Sequence, residues 1–369
     1  MSSRPLSAIV LAAGEGTRMK SARPKPLHVL CGRPMILHIL DTLAELSLER
    51  AVVVVGHGAD RVTKALSEQA KPDLPIEFVE QHVQKGTGDA VAVALTAFAD
   101  EADDPDIDDG DLIVVPGDTP LLRPQTLAAL VTAHRHSDAA ATLLTAVLSE
   151  PRGYGRIVRG RDERVRRVVE DIDASAEELA IDEVNTSIYC FRRSVLAPAL
   201  RRLTPDNSQG EYYLTDVVGV LHDAGYNVVS MVAADAMETA GINDRAQLAI
   251  AEAELRDRTN DRWMLQGVTM LDPERTYIDA SVELGRDVTL FPGTVLQGRT
   301  IVEDGAEIGP DTRLVDCVVG AGAIVEHTVA RLAEIGAGAT VGPFASLAPG
   351  TRVAAGVVTG PFFSGESEE

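Results

Sequence analysis

The sequence of 369 residues predicts two folds in one chain: an α/β domain with a doubly wound sheet, followed by a short parallel β-helix. Two observations predict them. Over roughly the first 235 residues, strand and helix patterns alternate, which is typical of a mostly parallel sheet covered by helices on both faces. From Tyr277 onward, aliphatic residues recur at every sixth position, a period that fits neither a helix nor a flat strand.

The α/β pattern begins with regular alternation. Strands are predicted at residues 7–13, 51–55, 76–80 and 111–115, and helices at residues 35–46, 59–69, 89–98 and 125–134. Residues 139–195 contain shorter strand patterns, GRIVR, RVRRVVE and SIYCF, which predict an antiparallel flap over one edge of the sheet. Helices at residues 194–203 and 214–224 and a strand at residues 227–232 complete the domain.

The six-residue period predicts a prism-shaped β-helix in which each hexad forms one short side and turns one aliphatic side chain inward. The inward positions are predicted at Ile278, Leu284, Leu290, Leu296, Val302, Ile308 and Leu314 and, after a frame slip, at Ile335, Val341, Leu347 and Val353. An ordinary all-β domain with coincidental spacing is the alternative. Flat faces and open ends favour association through the prism, commonly as a homotrimer.

A helical pattern at residues 242–265, rich in Ala, Glu and Arg, predicts a helix that connects the two folds. The predicted boundaries are 1–235 for the α/β domain, 236–266 for the linker, 267–360 for the β-helix and 361–369 for a polar tail.

Composition excludes several classes of protein. A net charge of −22, only 4% aromatic residues and the lack of a long basic stripe argue against a nucleic-acid partner. The acidic run at residues 100–111 predicts a solvent-exposed connecting segment, and a metal site is the more specific alternative. Three distant cysteines predict buried free thiols in a reducing compartment. Without a membrane-length apolar run or a recognisable leader, we expect a cytoplasmic protein with no membrane partner.

The first predicted strand runs into LAAGEGTRMKSARPKPL, residues 11–27, which combines two glycines with four basic residues. It matches neither the G-x-G-x-x-G dinucleotide fingerprint nor the Walker loop. Glycines let a backbone approach a base or a phosphate, and the basic side chains that follow offset phosphate charge. Pro24 and Pro26 predict an extended segment that holds Lys25 over a triphosphate, whereas a solvated surface lysine is the alternative.

Three further stretches fit an anionic ligand. QKGTGDA, residues 84–90, is a second glycine-rich turn before a helix and suits backbone contact with a base or ribose. VVPGD, residues 114–118, puts a carboxylate directly after a buried strand, where Mg²⁺ ligands are often found. GYGR at residues 153–156 and EVNTS at residues 183–187 offer small and polar groups on the flap, for which ordinary turn chemistry is the alternative.

The ordered set LAAGEGTRM, PKPL, GTGDAV, PGDTPLL, GYGRI, VVEDIDA, EVNTS, QGEYYLTD and GIND resembles the sugar-nucleotide pyrophosphorylases. It is most similar to the N-acetylglucosamine-1-phosphate uridylyltransferase domain of the bifunctional GlmU family, over roughly residues 5–355. The resemblance implies a Rossmann-like nucleotidyltransferase domain with a mixed sheet and a truncated left-handed β-helix. It also implies Mg²⁺-dependent synthesis of UDP-N-acetylglucosamine and pyrophosphate from UTP and N-acetylglucosamine 1-phosphate.

The resemblance also implies roles for individual residues. The uridine nucleotide would contact the backbone of Leu11, Ala12, Ala13, Gly14 and Gly117, and its uracil would contact Gln81, Gly86 and Thr87. Lys25, Arg18 and Asp118 would be the catalytic residues, with Asp118 and Asn243 as the Mg²⁺ ligands. Gly155, Glu170 and Asn185 would hold the sugar. The segment QGEYYLTD, residues 209–216, is expected to orient the pocket rather than to react.

The sequence departs from the family pattern near the pocket and in length. Asp89 stands where the family often has His, and Asp171-Ile172 replaces a more polar stretch. The chain ends at PFFSGESEE, before the coils that carry the family's acetyltransferase site, so acetylation of glucosamine 1-phosphate is expected to be absent. Two alternatives stay open: the same chemistry on another pair, such as glucose 1-phosphate or dTTP, and a non-catalytic regulatory or scaffold subunit.

Overall fold

The computed structural model describes residues 4–70, 73–98 and 110–365. The acidic run at residues 100–111, with its alternative metal site, therefore lies outside the described residues except for its last two positions. The chain divides into two compact units, one formed by residues up to 28 and 34–247 and the other by residues 29–33 and from 248 onward.

The first eleven strands of the chain are short, and most of them lie in the first unit. In chain order they are β1 (Leu6–Ala12), β2 (Val29–Leu30), β3 (Arg33–Pro34), β4 (Ala51–Val55), β5 (Ile76–Glu80), β6 (Asp111–Pro116), β7 (Ala141–Val147), β8 (Arg156–Arg159), β9 (Val165–Val169), β10 (Glu183–Arg192) and β11 (Val228–Val232). The helices are α1 (Met35–Ala44), α2 (Ala59–Gln69), α3 (Thr87–Ala94), α4 (Pro124–His136), α5 (Ala176–Leu179), α6 (Arg193–Leu200), α7 (Asp216–Asp223) and α8 (Arg245–Leu265).

The central sheet has the strand order β11-β7-β10-β6-β1-β4-β5. The four strands β6, β1, β4 and β5 are parallel, β10 is antiparallel to both of its neighbours, and β7 and β11 are parallel to each other. The doubly wound mixed sheet is thereby confirmed. Because the carboxyl ends of β1, β4, β5 and β6 lie on one edge, the loops that follow these strands converge there.

Alternate residues of β4 explain why the domain has two hydrophobic cores. Val52 and Val54 join the core on the face covered by α3, α6 and α7, whereas Ala51, Val53 and Val55 join the core covered by α1, α2 and α4. All five residues are buried, as the continuous apolar run predicts for a central parallel strand.

The predicted flap over residues 139–195 is only partly correct. The hairpin of β8 and β9 lies outside the main path of the sheet, with β8 paired to β10. However, β7 and β10 belong to the central sheet, and SIYCF lies within β10, between β6 and β7. The reason is burial on both faces: Tyr189 and Phe191 join one core, and Ile188 and Cys190 join the other.

The second unit contains a parallel β-helix with three faces. The first face is Thr269–Met270, Thr289–Leu290, Glu307–Ile308, Ile324–Val325 and Thr340–Val341. The second face is Tyr277–Ile278, Val295–Gln297, Arg313–Val315, Val329–Arg331, Ser346–Leu347 and Ser364–Gly365. The third face is Glu283–Leu284, Ile301–Val302, Val318–Val319, Glu334–Ile335 and Arg352–Val353. The predicted left-handed β-helix is confirmed, and its last described strand lies in the segment that the sequence assigns to a tail.

The inward hexad positions form the core of this prism, with Leu284 only partly buried. At the predicted frame slip, some inward positions are five residues apart instead of six. The core continues there through Val319, Val325 and Ala330. Each interval of five residues contains a non-glycine residue of positive φ: Asp316 (52°), His327 (45°) or Leu332 (49°). Intervals of six contain such residues as well, for example Asp287 (57°) and Asp311 (46°), so the left-handed conformation alone does not explain the dropped residue.

The three cysteines, Cys31, Cys190 and Cys317, are free and buried, as expected. Among the described residues, no helix combines the length and apolar character needed to cross a membrane.

Candidate functional site

A cleft of about 640 Å³ lies beyond the carboxyl ends of β1, β5 and β6, within the first unit. It is lined by every site residue that the sequence predicts except Arg18. These lining residues are Leu11, Ala12, Ala13, Gly14, Lys25, Gln81, Gly86, Thr87, Gly117, Asp118, Gly155, Glu170, Asn185 and Asn243. Segments more than two hundred residues apart thus share one cleft, and what each residue binds stays a prediction.

The loop after β1 leaves its backbone open to the cleft. A Cβ added at Gly14 would meet no heavy atom within 4 Å, so the backbone there is accessible to a ligand. Gly16 has a φ of 63°, and a Cβ on it would lie 2.6 Å from Cβ of Lys25. The second glycine is therefore needed for the loop to pass Lys25, whereas the buried Met19 anchors the loop in the core.

Lys25 begins a short 3-10 helix, Lys25–Leu27, so the predicted extended segment is wrong. Only Pro24, with φ −52° and ψ 139°, is extended, and it occupies the cap position. Pro26 sits in the first turn, where its missing N–H costs no hydrogen bond and its fixed φ suits a helix start. The two prolines still restrict the backbone on both sides of the lysine.

The ammonium of Lys25 lies between two oxygen atoms from distant loops. It donates to Oδ2 of Asp118 in a short ion pair and to Oδ1 of Asn243 at 2.9 Å. Arg18, outside the cleft lining, donates to the same Asn243 oxygen at 2.8 Å. The side chains of Lys25 and Asp118 are only 15% and 24% exposed, so water screens this pair less than a surface pair.

One backbone hydrogen bond joins the Asp118 loop to the Asn243 loop, and two hydrogen bonds with side chains hold the Asn243 loop itself. The N–H of Ile242 donates to the carbonyl of Asp118 at 2.9 Å. The N–H of Asn243 donates to Oε1 of Gln247 at 2.7 Å, and the Nε of Arg245 donates to the carbonyl of Met19 at 3.1 Å.

The pair of Asp118 and Asn243 suits a hard divalent cation, because Mg²⁺ prefers carboxylate and amide oxygens and completes its shell with water and phosphate. The two oxygens already face a positive group, the Lys25 ammonium. Within residues 4–70, 73–98 and 110–365, no group of three or more His, Cys, Asp or Glu could hold a metal ion. One carboxylate and one amide oxygen do not form such a group, and water or phosphate oxygens can complete the shell of a bound Mg²⁺.

The GTG turn is held by the segment at residues 209–216. The N–H of Tyr212 donates to the carbonyl of Lys85, and the N–H of Gly88 donates to the carbonyl of Tyr212, both at 2.8 Å. The N–H of Leu214 donates to the Thr87 hydroxyl at 3.0 Å. Gly86 has a φ of 106°, and a Cβ on it would lie 2.5 Å from the Tyr212 carbonyl oxygen. The segment orients the turn, as expected.

At the predicted sugar end of the cleft, some polar atoms have hydrogen-bond partners within the protein and one described atom has none. Thr215 donates to Oε1 of Glu170 at 2.9 Å, and the Asn185 side-chain nitrogen donates to the hydroxyl of Tyr189 at 2.8 Å. The N–H of Asn185 donates to the carbonyl of Gly155 at 2.8 Å. Among the described residues, Oδ1 of Asn185 is buried with no hydrogen-bond partner. It is an acceptor left over for a ligand.

Burial raises the pKa of Glu170, and the hydrogen bond from Thr215 only partly opposes this. Neighbouring carboxylates, led by Asp216 and Asp173, also raise it. A second chamber of about 400 Å³ adjoins the cleft beyond Glu170 and is partly lined by Tyr213. Motif reasoning missed this chamber, because it depends on how the segment at residues 209–216 folds back.

Gln84, the first residue of QKGTGDA, also lines the cleft, although the sequence predicts no role for its side chain. Its side-chain nitrogen approaches the carbonyl of Ala13 at 3.4 Å, which joins the second glycine-rich turn to the first. Of the described residues that line the cleft, none is a histidine.

Comparison with known families matches residues 8–217 to the MobA-like NTP transferase domain. The chain is also similar to curated bifunctional GlmU proteins. It is 48% identical to that of Streptomyces avermitilis over 97% of this chain and 73% of the relative. It is 49% identical to that of Streptomyces coelicolor over 95% and 71%, and 46% identical to that of Desulfitobacterium hafniense over 96% and 75%.

Proposed function

This chain belongs to the GlmU family and is a sugar-phosphate uridylyltransferase, and we propose that its reaction joins UTP to N-acetylglucosamine 1-phosphate, giving UDP-N-acetylglucosamine and pyrophosphate. The observation that carries this proposal is the convergence of Lys25, Asp118 and Asn243 in one cleft at the carboxyl end of a parallel sheet. Such an edge is where α/β sheets bind nucleotides.

The nucleotide lies along the loop after β1. The open backbone at Gly14 lets the ribose and phosphates approach closely, and the backbone of Leu11, Ala12, Ala13 and Gly117 forms the rest of the wall. The uracil lies near Gln81, Gly86 and Thr87, at the other glycine-rich turn. This assignment puts the triphosphate next to the Lys25 ammonium.

The reaction is an in-line displacement at phosphorus. A phosphate oxygen of the sugar 1-phosphate attacks the α-phosphorus of UTP and forms the new P–O bond. The bond from the α-phosphorus to the bridging oxygen of the β-phosphate breaks, and pyrophosphate leaves with that electron pair. The attacking oxygen carries its charge at neutral pH, so no side chain needs to take a proton. Positioning and charge neutralisation therefore dominate.

Lys25 neutralises the charge that develops on the departing pyrophosphate. A cation that is fixed before the reaction stabilises the transition state without a cost for reorganisation. Flanking prolines fix the Lys25 backbone in this way, and only its ammonium has to move from Asp118 and Asn243 to the phosphates when the substrates bind. Arg18 assists by holding the Asn243 amide oxygen, and it adds a second positive charge nearby.

Asp118 and Asn243 would hold Mg²⁺ together with substrate phosphates. When bound, the cation offsets the negative charge of the phosphate oxygens. The donor set of one carboxylate and one amide fits this ion, and Lys25 would turn from these oxygens to the phosphates.

Glu170 and Asn185 bind the sugar hydroxyls. Oδ1 of Asn185 is a buried acceptor, and Glu170 presents a second acceptor held by Thr215. Burying an acceptor without a partner is unfavourable, so a bound hydroxyl restores a hydrogen bond. The Gly155 backbone sits beside them because its carbonyl is tied to Asn185.

Pyrophosphate release over a panel of nucleotides and sugar phosphates tests the substrate pair. With Mg²⁺ in excess, UTP and N-acetylglucosamine 1-phosphate should give the highest kcat/KM, above dTTP and glucose 1-phosphate. A higher value for another pair would assign that pair instead. No release with any pair would favour a non-catalytic regulatory or scaffold subunit, which has no need for the three converging residues.

Other expectations about the whole protein stay predictions. Association into a homotrimer through the β-helix, a cytoplasmic location and the domain boundaries each need their own measurement. The lack of acetyl transfer from acetyl-CoA to glucosamine 1-phosphate is tested by adding both compounds to the purified chain.

A further inference from the structure

Gln81 lies at the end of β5, where its backbone N–H donates to the carbonyl of Val55 at 2.8 Å. Its side chain is 4% exposed and lines the cleft. The side-chain nitrogen donates to Oδ2 of Asp89 at 2.7 Å and to the carbonyl of Gly86 at 3.3 Å. Both N–H bonds of the amide therefore point to acceptors of the neighbouring turn.

These partners determine which end of the amide faces the cleft. A carboxylate and a carbonyl accept hydrogen bonds and donate none, so only the NH₂ end of the amide can face them. Among the residues that the structure describes, none donates a hydrogen bond to Oε1 of Gln81. The carbonyl oxygen is thus the hydrogen-bonding atom that Gln81 has left for a ligand.

We propose that Asp89 is a specificity-determining residue, which fixes the Gln81 amide so that the nucleotide site accepts a pyrimidine with a ring N–H and rejects cytosine. This inference rests on the proposed function, in which Gln81 contacts the base. Uracil and thymine carry a hydrogen on N3, which Oε1 accepts. Cytosine has a lone pair at N3, which would face the lone pairs of Oε1.

Turning the amide over to suit cytosine is unfavourable while Asp89 is present. Oε1 would then face Oδ2 of Asp89 and the carbonyl of Gly86, and both hydrogen bonds of the NH₂ group would be lost. A buried acceptor facing another acceptor costs more than one facing water, because burial removes the competing solvent. Asp89 therefore acts through Gln81 and does not itself touch the base.

The test is Asp89→Asn, which keeps the size of the side chain but lets it donate or accept. The variant removes the stronger obstacle to turning the Gln81 amide and leaves only the longer contact with the Gly86 carbonyl, so cytosine is rejected less strongly. Titration calorimetry with UDP and CDP measures this without turnover. Sites built to hydrogen-bond one group discriminate by up to roughly 10⁴-fold, and we expect the UDP-to-CDP affinity ratio to fall at least about tenfold in the variant.

Asp60→Asn is the matched control. Asp60 and Asp89 both lie in the first turn of a helix, so each change removes a charge that interacts favourably with a helix N-terminus. Asp60 lies outside the lining of the cleft, so its variant should keep the wild-type affinity ratio. The control separates loss of helix stability from loss of base selection.

An unchanged UDP-to-CDP affinity ratio in Asp89→Asn overturns the inference. If the variant binds both nucleotides equally less tightly, the ratio is also unchanged and the role of Asp89 is purely structural. Kinetics give a second readout, since the UTP-to-CTP ratio of kcat/KM should fall through KM while kcat for UTP stays near wild type. Failure of the proposed function is distinct, because it shows as no turnover with any substrate pair while the calorimetry still reports on Asp89.

Discussion

Replacing Lys25 with alanine removes the positive charge that this account assigns to the departing pyrophosphate. A unit charge about 4 Å from a phosphate oxygen is worth about 4 kcal/mol at an effective dielectric constant near 20, which suits a partly buried site. Lys25, 15% exposed and held by two hydrogen-bonded oxygens, is such a site. Only the part of this energy that appears in the transition state affects the rate. We therefore expect kcat to fall by about 10²–10³-fold, or about 2.7–4 kcal/mol.

The assay is pyrophosphate release with saturating UTP, sugar 1-phosphate and Mg²⁺. Lys64→Ala is the matched control, because Lys64 is an exposed lysine on α2 and its removal changes the net charge equally. Thermal unfolding of both variants should stay near wild type. A Lys25→Ala enzyme that is folded and keeps kcat within about threefold of wild type would refute the reasoning, because a loss that small is far below the effect of one preorganised charge.

The remaining predictions concern the fold that supports the cleft. Gly86→Ala should lower the free energy of unfolding by about 1–3 kcal/mol and reduce turnover. Gly153 also has a positive φ but has no atom within 4 Å of an added Cβ, so Gly153→Ala should lose less stability. Equal losses in urea unfolding would contradict a clash between the Gly86→Ala side chain and its neighbours. Leu314→Ala, in the β-helix core, should lower the free energy of unfolding by about 2–5 kcal/mol. The control Val329→Ala, at an exposed position, should lower it by at most about 0.5 kcal/mol. Similar melting temperatures for the two variants would contradict the assignment of Leu314 to the core. Asp111→Asn should lower the free energy of unfolding by about 3 kcal/mol at pH 7. The difference in stability between this variant and the wild type should shrink as the pH falls below about 4. A stability difference that does not depend on pH would contradict this prediction.

The pH dependence of the last prediction follows from the surroundings of Asp111. Burial alone would raise its pKa, but the His134 ring nitrogen 3.5 Å away, the hydrogen bond from Arg135 and the charge of Arg4 outweigh burial and hold the pKa below its ordinary value. A carboxyl whose pKa is lower in the folded state stabilises the fold above its unfolded pKa. That stabilisation is lost as the pH falls through the folded pKa, so urea unfolding at pH 7 and pH 3 measures it.

Patterns that depend on one residue period could be predicted from the sequence. The run AVVVV predicts β4, because a strand buried on both faces of a sheet is apolar at every position. The six-residue spacing of residues such as Leu290 and Leu296 predicts the prism, because each side of the prism buries one aliphatic side chain. The five-residue intervals could not be placed, since left-handed non-glycine residues occur in intervals of both lengths, such as Asp316 in a five-residue interval and Asp311 in a six-residue one.

The errors have a common cause, which is that neighbours in space override local preference. The sequence predicts an extended chain at Pro26, yet in the first turn of a 3-10 helix proline fits equally well. The sequence also predicts a flap at SIYCF, although Tyr189 and Cys190 face two different cores. For the cleft, motifs predicted the residues that line it, but not the hydrogen bond from Arg18 to Asn243, which joins residues 225 apart.

A crystal structure with UDP-N-acetylglucosamine and Mn²⁺ would show where the sugar nucleotide and the cation bind. We expect an anomalous peak within about 2.5 Å of oxygen atoms of Asp118 and Asn243, with the diphosphate beside Lys25 and the sugar hydroxyls on Glu170 and Asn185. Well-defined nucleotide and metal at another place on the chain, with this cleft free of both, would contradict it.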